Sequence, residues 1–166
     1  MAGQKQKQQQ QRQKKPNWTI VVVAVVGALG AAAFFAVDPF GTGEAAGIDP
    51  KDRAKVALGA QVYADNCAAC HGTNLEGQAN WRQRGPDGRL PAPPHDVSGH
   101  TWHHPDAQLF QLTKYGPAAL AGGSYQSDMP PYEGVLSDAE IWAVLSYIKS
   151  RWPQQIQDRH DQISQQ

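Results

Sequence analysis

The chain has 166 residues, and its 15 basic and 15 acidic side chains cancel to a formal charge of zero. The balance hides an asymmetry: Lys5, Lys7, Arg12, Lys14 and Lys15 sit in the first 17 residues, which hold no acid, while everything after Val37 carries 15 acids against 10 bases, a net charge of −5. An acidic body argues against nucleic acid as a partner and for steering towards basic proteins, with plain solubility an equal explanation.

Residues 1–17 are rich in Gln and Lys and read as a disordered basic tail on the cytoplasmic side. Residues 18–37 follow as a transmembrane anchor, because 19–37 is an uncharged apolar run long enough to cross a bilayer as a helix and Trp18 stands at its start as an interfacial aromatic. The basic flank keeps the N-terminus inside, which predicts a single-pass inner-membrane protein with the remainder on the periplasmic side. A cleavable signal, cut after Ala33, is the competing assignment, and the apolar run is longer than a usual signal core. Residues 38–49 are small and Gly-containing and form a linker. Residues 50–152 then make one compact domain, and 153–166 a polar C-terminal tail.

Asp49-Pro50 predicts a helix start, with Asp as the N-cap and Pro at the first helical position. Val56, Gly59, Ala60 and Tyr63 recur at spacings of three and four, so the helix runs from about 50 to 66. At its end stands Cys67-Ala68-Ala69-Cys70-His71. C-x-x-C-H is the attachment signature of a c-type haem: two thiols form thioethers to the porphyrin, and the next residue offers an imidazole to the iron.

Other assignments of these five residues explain less. A thioredoxin-like dithiol wants a βαβ context, whereas the flanks here look helical. A zinc site needs four ligands, and with no further cysteine His100 and His104 would have to complete it across a long gap. A disulfide between Cys67 and Cys70 has poor geometry on a helix.

His104-Pro105-Asp106 opens a second helix through Leu109, Phe110, Leu112 and Thr113, stopped by Gly116 and Pro117. Ser137-Asp138-Ala139-Glu140 is a capping box that opens a third, with Ile141, Val144, Leu145 and Ile148 as its apolar face, running to Trp152. Residues 72–103 and 116–136 are dense in Gly and Pro and read as loops, and nothing alternates as a strand. The domain is therefore all-α. So few helices make a thin core, and a buried haem would supply the missing apolar bulk.

Over about residues 50–152 the chain resembles class I c-type cytochromes, of the membrane-anchored monohaem bacterial type. In that family a Gly is followed four residues on by an aromatic and four later by the first Cys; here these are Gly59, Tyr63 and Cys67. The family's last helix crosses the first at that Gly, and the matching residues are Val144 and Tyr147. The resemblance implies three main helices and long loops around one covalent haem c, bound through Cys67 and Cys70, behind the N-terminal transmembrane helix. It implies His71 and Met129 as axial iron ligands, Met129 being the one methionine besides Met1. It implies a proline carbonyl accepting from the His71 ring, with Pro93 and Pro94 as candidates and position favouring Pro94. Trp102 is a candidate donor to a haem propionate, as are Arg82, Arg84 and Arg89. His100, His103 and His104 read more plainly as surface or capping residues than as metal ligands.

With both axial positions filled, the resemblance implies an electron carrier and no enzyme. It would move single electrons between respiratory-chain components, from a quinol-oxidising complex to a terminal oxidase or reductase. The alternatives are a fixed haem subunit of a larger dehydrogenase or oxidase, and a gas sensor or haem enzyme with an open sixth site.

Overall fold

The computed structural model describes residues 46–166. The basic tail, the anchor at 18–37 and most of the linker lie outside the described residues. No helix among the described residues is long and apolar enough to cross a membrane.

Helix α1, Arg53–Asn66, starts three residues later than the Asp-Pro signal predicts. Asp52 is the N-cap, its Oδ1 accepting from the backbone of Ala54 at 2.9 Å and Lys55 at 3.1 Å. Asp49 is drawn elsewhere: its N–H donates to Ser146 Oγ at 2.9 Å and its carboxylate closes a local turn on Lys51. The buried face of α1 is Lys55, Gly59, Val62 and Tyr63, so it leans one residue away from the predicted Val56 and Ala60. A single turn, α2 (Ala68–His71), continues past Cys67 and stops at Gly72, whose φ of 81° suits a residue without Cβ.

Helix α3, Asp106–Tyr115, starts directly after Pro105. A short helix α4, Pro117–Ala121, lies in the segment predicted as loop; Pro117 occupies its first turn, where a missing N–H costs nothing. Helix α5, Asp138–Ser150, carries the predicted capping box in full, Ser137 bonding the Glu140 backbone while Glu140 bonds back. Ile141, Val144, Leu145 and Ile148 are buried along it.

The segment 153–166, expected as a polar tail, forms a further helix, α6 (Gln154–Ser164). His160 is the buried anchor of this polar sequence, donating from Nε2 to the His104 carbonyl at 3.0 Å with its ring edge-on to Trp152, and Ile156 packs against the core beside it. Ser164 Oγ adds a bond to Asp106 Oδ1 at 2.8 Å, which ties the end of α6 to the start of α3.

The core lies between α1 and α5. Val62, Tyr63, Leu75, Leu109, Ile141, Val144, Leu145, Ile148 and Trp152 form one buried cluster. Gly59 permits the crossing, because a β-carbon there would collide with the Ala143 carbonyl and stand 2.9 Å from Tyr147 Cβ. The packing partners predicted for Gly59 are therefore one turn of α5, with Ala143 closer than Val144. No strand occurs among the described residues.

Candidate functional site

The crossing of α1 and α5 sets the direction in which α1 ends, and α1 delivers Cys67, Cys70 and His71 on consecutive turns. Their backbone is closed by Cys70 N–H and His71 N–H donating to the Cys67 carbonyl at 3.1 and 2.9 Å. Tyr63 fixes the exit by donating its hydroxyl to the Gly72 carbonyl at 2.9 Å.

Both thiols are free. Burial, and secondarily Cys70, push the Cys67 thiol up to about 11, so it stays protonated. A dithiol oxidoreductase needs the opposite, a thiol held low. Among the described residues no group of three or more His, Cys, Asp or Glu side chains converges on a metal position, so the zinc alternative has no geometry either.

His71 is buried, and its Nδ1 lies 2.8 Å from the carbonyl of Pro93. A carbonyl only accepts, so Nδ1 carries the hydrogen and Nε2 keeps its lone pair. Burial lowers the ring's proton affinity and the Pro93 bond partly restores it, which leaves a neutral imidazole suited to ligate a metal. The partner is Pro93 and not Pro94, the one that sequence position favours. The Pro94 carbonyl is turned the other way, into the tight approach of Gly99, and accepts from Thr101 Oγ1 at 3.4 Å.

Met129 sits in a half-exposed loop whose own N–H is held by Ser127 Oγ at 3.1 Å. Three residues on, Tyr132 clamps that loop to the cysteine segment: its hydroxyl donates to the Asn66 carbonyl at 2.6 Å, and its N–H donates to the Lys114 carbonyl at 3.0 Å. The structure thus ties the loop of Met129 to the residue directly before Cys67.

Trp102 lies in a 3-10 turn, Thr101–His103, stacked on His103 at 3.6 Å and with the Arg159 guanidinium 5.0 Å above its ring. Its Nε1 is buried without a hydrogen-bond partner. Arg89 pairs with Asp128, beside Met129, yet its Nε is also buried and unpartnered. Arg82 covers Trp81, and Arg84 donates to the Gly88 carbonyl at 2.6 Å. His100 stacks on Trp81 at 5.3 Å with His104 edge-on, an aromatic stack and no ligand cluster.

Residues around the motif that the sequence did not single out are Tyr132, with its Asn66 bond, and His95. His95 stacks on the His71 ring at 4.0 Å, and burial holds it well towards the neutral form. The available signal for His95 was its place directly after Pro93-Pro94.

The donor set fits a haem. There are two unpaired thiols, a neutral imidazole with a free Nε2, a thioether on a clamped loop, and two buried N–H donors of the kind that carboxylates satisfy. The fold and this set define a class I c-type cytochrome, with haem c bound covalently. The chain belongs to the cytochrome c family, whose model matches residues 56–152. It is similar to the cbb3-type cytochrome c oxidase subunit CcoP of Azospirillum sp. (strain B510), with 33% identity over 97 residues. That stretch is 58% of this chain and 29% of the relative, so the chain aligns with under a third of the relative's length. No solved structure matches the chain.

Proposed function

We propose that this protein is a membrane-tethered carrier of single electrons, with His71 and Met129 as the axial ligands of its haem iron. The observation that carries the proposal is the Nδ1 bond of His71 to Pro93, which aims a neutral imidazole beside two free thiols. Bound haem supplies a one-electron ferric/ferrous couple. The chain's own residues do the rest. Cys67 and Cys70 hold the group covalently, and Pro93 fixes the tautomer of His71. Tyr132 holds the loop of Met129 against Asn66, and Trp102 would offer its unpartnered Nε1 to a propionate. A filled sixth position leaves no iron site for substrate, which separates a carrier from a haem enzyme or gas sensor.

Residues 18–37 anchor the chain in the inner membrane with the haem domain on the periplasmic side. The net charge of −5 after Val37 suits basic docking faces on a quinol-oxidising donor and a terminal oxidase or reductase as acceptor. Tethering raises the effective concentration of such partners. A second reading, a fixed haem subunit of an oxidase, is favoured by the likeness to an oxidase subunit. Co-purification of the solubilised full chain with an oxidase distinguishes the two.

The test of ligation is Met129→Ala. The reduced variant is expected to bind carbon monoxide, and its potential to fall below the parent's. A variant that keeps the parent potential and ferric spectrum would show that another side chain, such as His100, holds the sixth position.

A further inference from the structure

We infer that His95 is a positioning residue that fixes the plane of the His71 imidazole. The inference deepens the proposed ligation by His71 and rests on it. The two rings lie face to face, centroids 4.0 Å apart and planes 22° from parallel. The Pro93 bond holds His71 at one edge only. Hydrogen-bond directions at a carbonyl oxygen are broad, so the ring keeps freedom to swing about that point. A flat, immobile neighbour on its face removes that freedom.

His95 has the immobility this requires, because every polar group of its backbone is taken. Its N–H donates to the Leu75 carbonyl at 2.8 Å, and its carbonyl accepts from Trp152 Nε1 at 2.7 Å. Its ring is fixed by Nδ1, which lies 2.8 Å from Thr101 Oγ1. The Thr101 hydroxyl spends its one hydrogen on the Pro94 carbonyl, so it accepts from His95 Nδ1–H. The edge of Tyr63 closes a further side at 6.3 Å. Pro93, Pro94 and His95 thus act as one unit: the first carbonyl orients His71 at its edge, the second orients Thr101, and the ring of His95 covers His71 on its face.

The consequence is spectroscopic. In a ferric haem held by an imidazole and a thioether, the pattern of haem methyl shifts in the proton NMR spectrum depends on the orientation of both ligands, so a change made at His95 with Met129 untouched reads the imidazole plane. The test compares the full-length ferric holoprotein with His95→Ala, His95→Asn and His95→Phe, recording methyl shifts and melting temperature together. His95→Asn keeps a polar partner for Thr101 without a ring face, and serves if the alanine variant fails to fold. The expected result is a redistributed methyl pattern in the Ala and Asn variants, beyond the parent's line width, and a return towards the parent pattern in the Phe variant. Ala and Asn variants that melt lower yet keep the parent pattern would overturn the inference and leave His95 a packing residue. A folded Phe variant that fails to restore the pattern would also overturn it. A parent protein whose His71 ring protons show no hyperfine shift would refute ligation by His71 itself, and the role of His95 with it.

Discussion

Gly59 and Ala143 meet without room for a single methyl group: a β-carbon at Gly59 would overlap the Ala143 carbonyl, with Tyr147 Cβ 2.9 Å away. The obstacle is backbone, which has no rotamer to yield. Gly59→Ala gains roughly 1 kcal/mol of helix propensity and loses about 1–3 kcal/mol to overpacking. The steric cost is expected to win, because the α1–α5 crossing must open. Urea unfolding of the holoprotein should show a lower midpoint. An unchanged or higher midpoint would mean that the two helices separate at no cost.

Tyr132→Phe tests the clamp on the Met129 loop. It removes the 2.6 Å bond to Asn66 and keeps the buried ring, so the loss should be about 1 kcal/mol. With Met129 on the iron as proposed, its displacement by added imidazole in the ferric protein should become easier by roughly fivefold, the factor that such an energy represents. Optical titration with imidazole measures it, and equal affinities in the two proteins would mean that the loop is held elsewhere.

Lys149 on α5 is buried and pairs with Asp161 on α6, whose carboxylate is half exposed. Asp161→Asn should cost about 3 kcal/mol, the low end for stranding a buried charge, because water reaches that side. Lys149→Met removes the charge and the need for a partner together, and should be close to neutral. Thermal melts of both variants distinguish a necessary pair from a merely tolerated one. Equal losses would mean that the ammonium contributes in its own right.

His160 makes the docking of α6 sensitive to acid. Burial, and next Lys149, lower its proton affinity below the ordinary 6.5, outweighing Asp106, the His104 carbonyl and Asp161, which act the other way. The unfolded chain therefore binds the proton more readily than the folded one. The contribution is full above about pH 6.5 and is lost as pH falls towards the lowered folded value. Parent protein should lose melting temperature between pH 7 and pH 5, the window that the ordinary histidine value sets. His160→Gln should start lower at neutral pH and lose less. A variant with the parent's full acid sensitivity would place the titrating group elsewhere.

The three predicted helices were legible because their signals are local. The Ser137 capping box, the Gly116 stop and the apolar face of α5 each act within a few residues, and each appears where expected. The C-x-x-C-H run needed no fold to be read. What the sequence hid is tertiary. Asp49 looked like the helix cap, but Ser146 on α5 engages it and Asp52 takes the role. Helix α6 has a polar sequence, and its docking rests on tertiary contacts: His160 buried against Trp152, Asp161 on Lys149, Ser164 on Asp106 and Ile156 against the core. Between Pro93 and Pro94 nothing local decides which carbonyl meets His71. The close approach of Gly99 to Pro94 decides it, across the turn that follows.

An optical redox titration of the full-length holoprotein, under argon and again under carbon monoxide, tests the central claim most directly. A covalent haem closed on both sides by His71 and Met129 should give a single one-electron wave at the same potential under both gases. A wave that shifts upward under carbon monoxide would mean that the iron has an open or labile position, and would contradict the assignment of this protein as an electron carrier with a filled coordination shell.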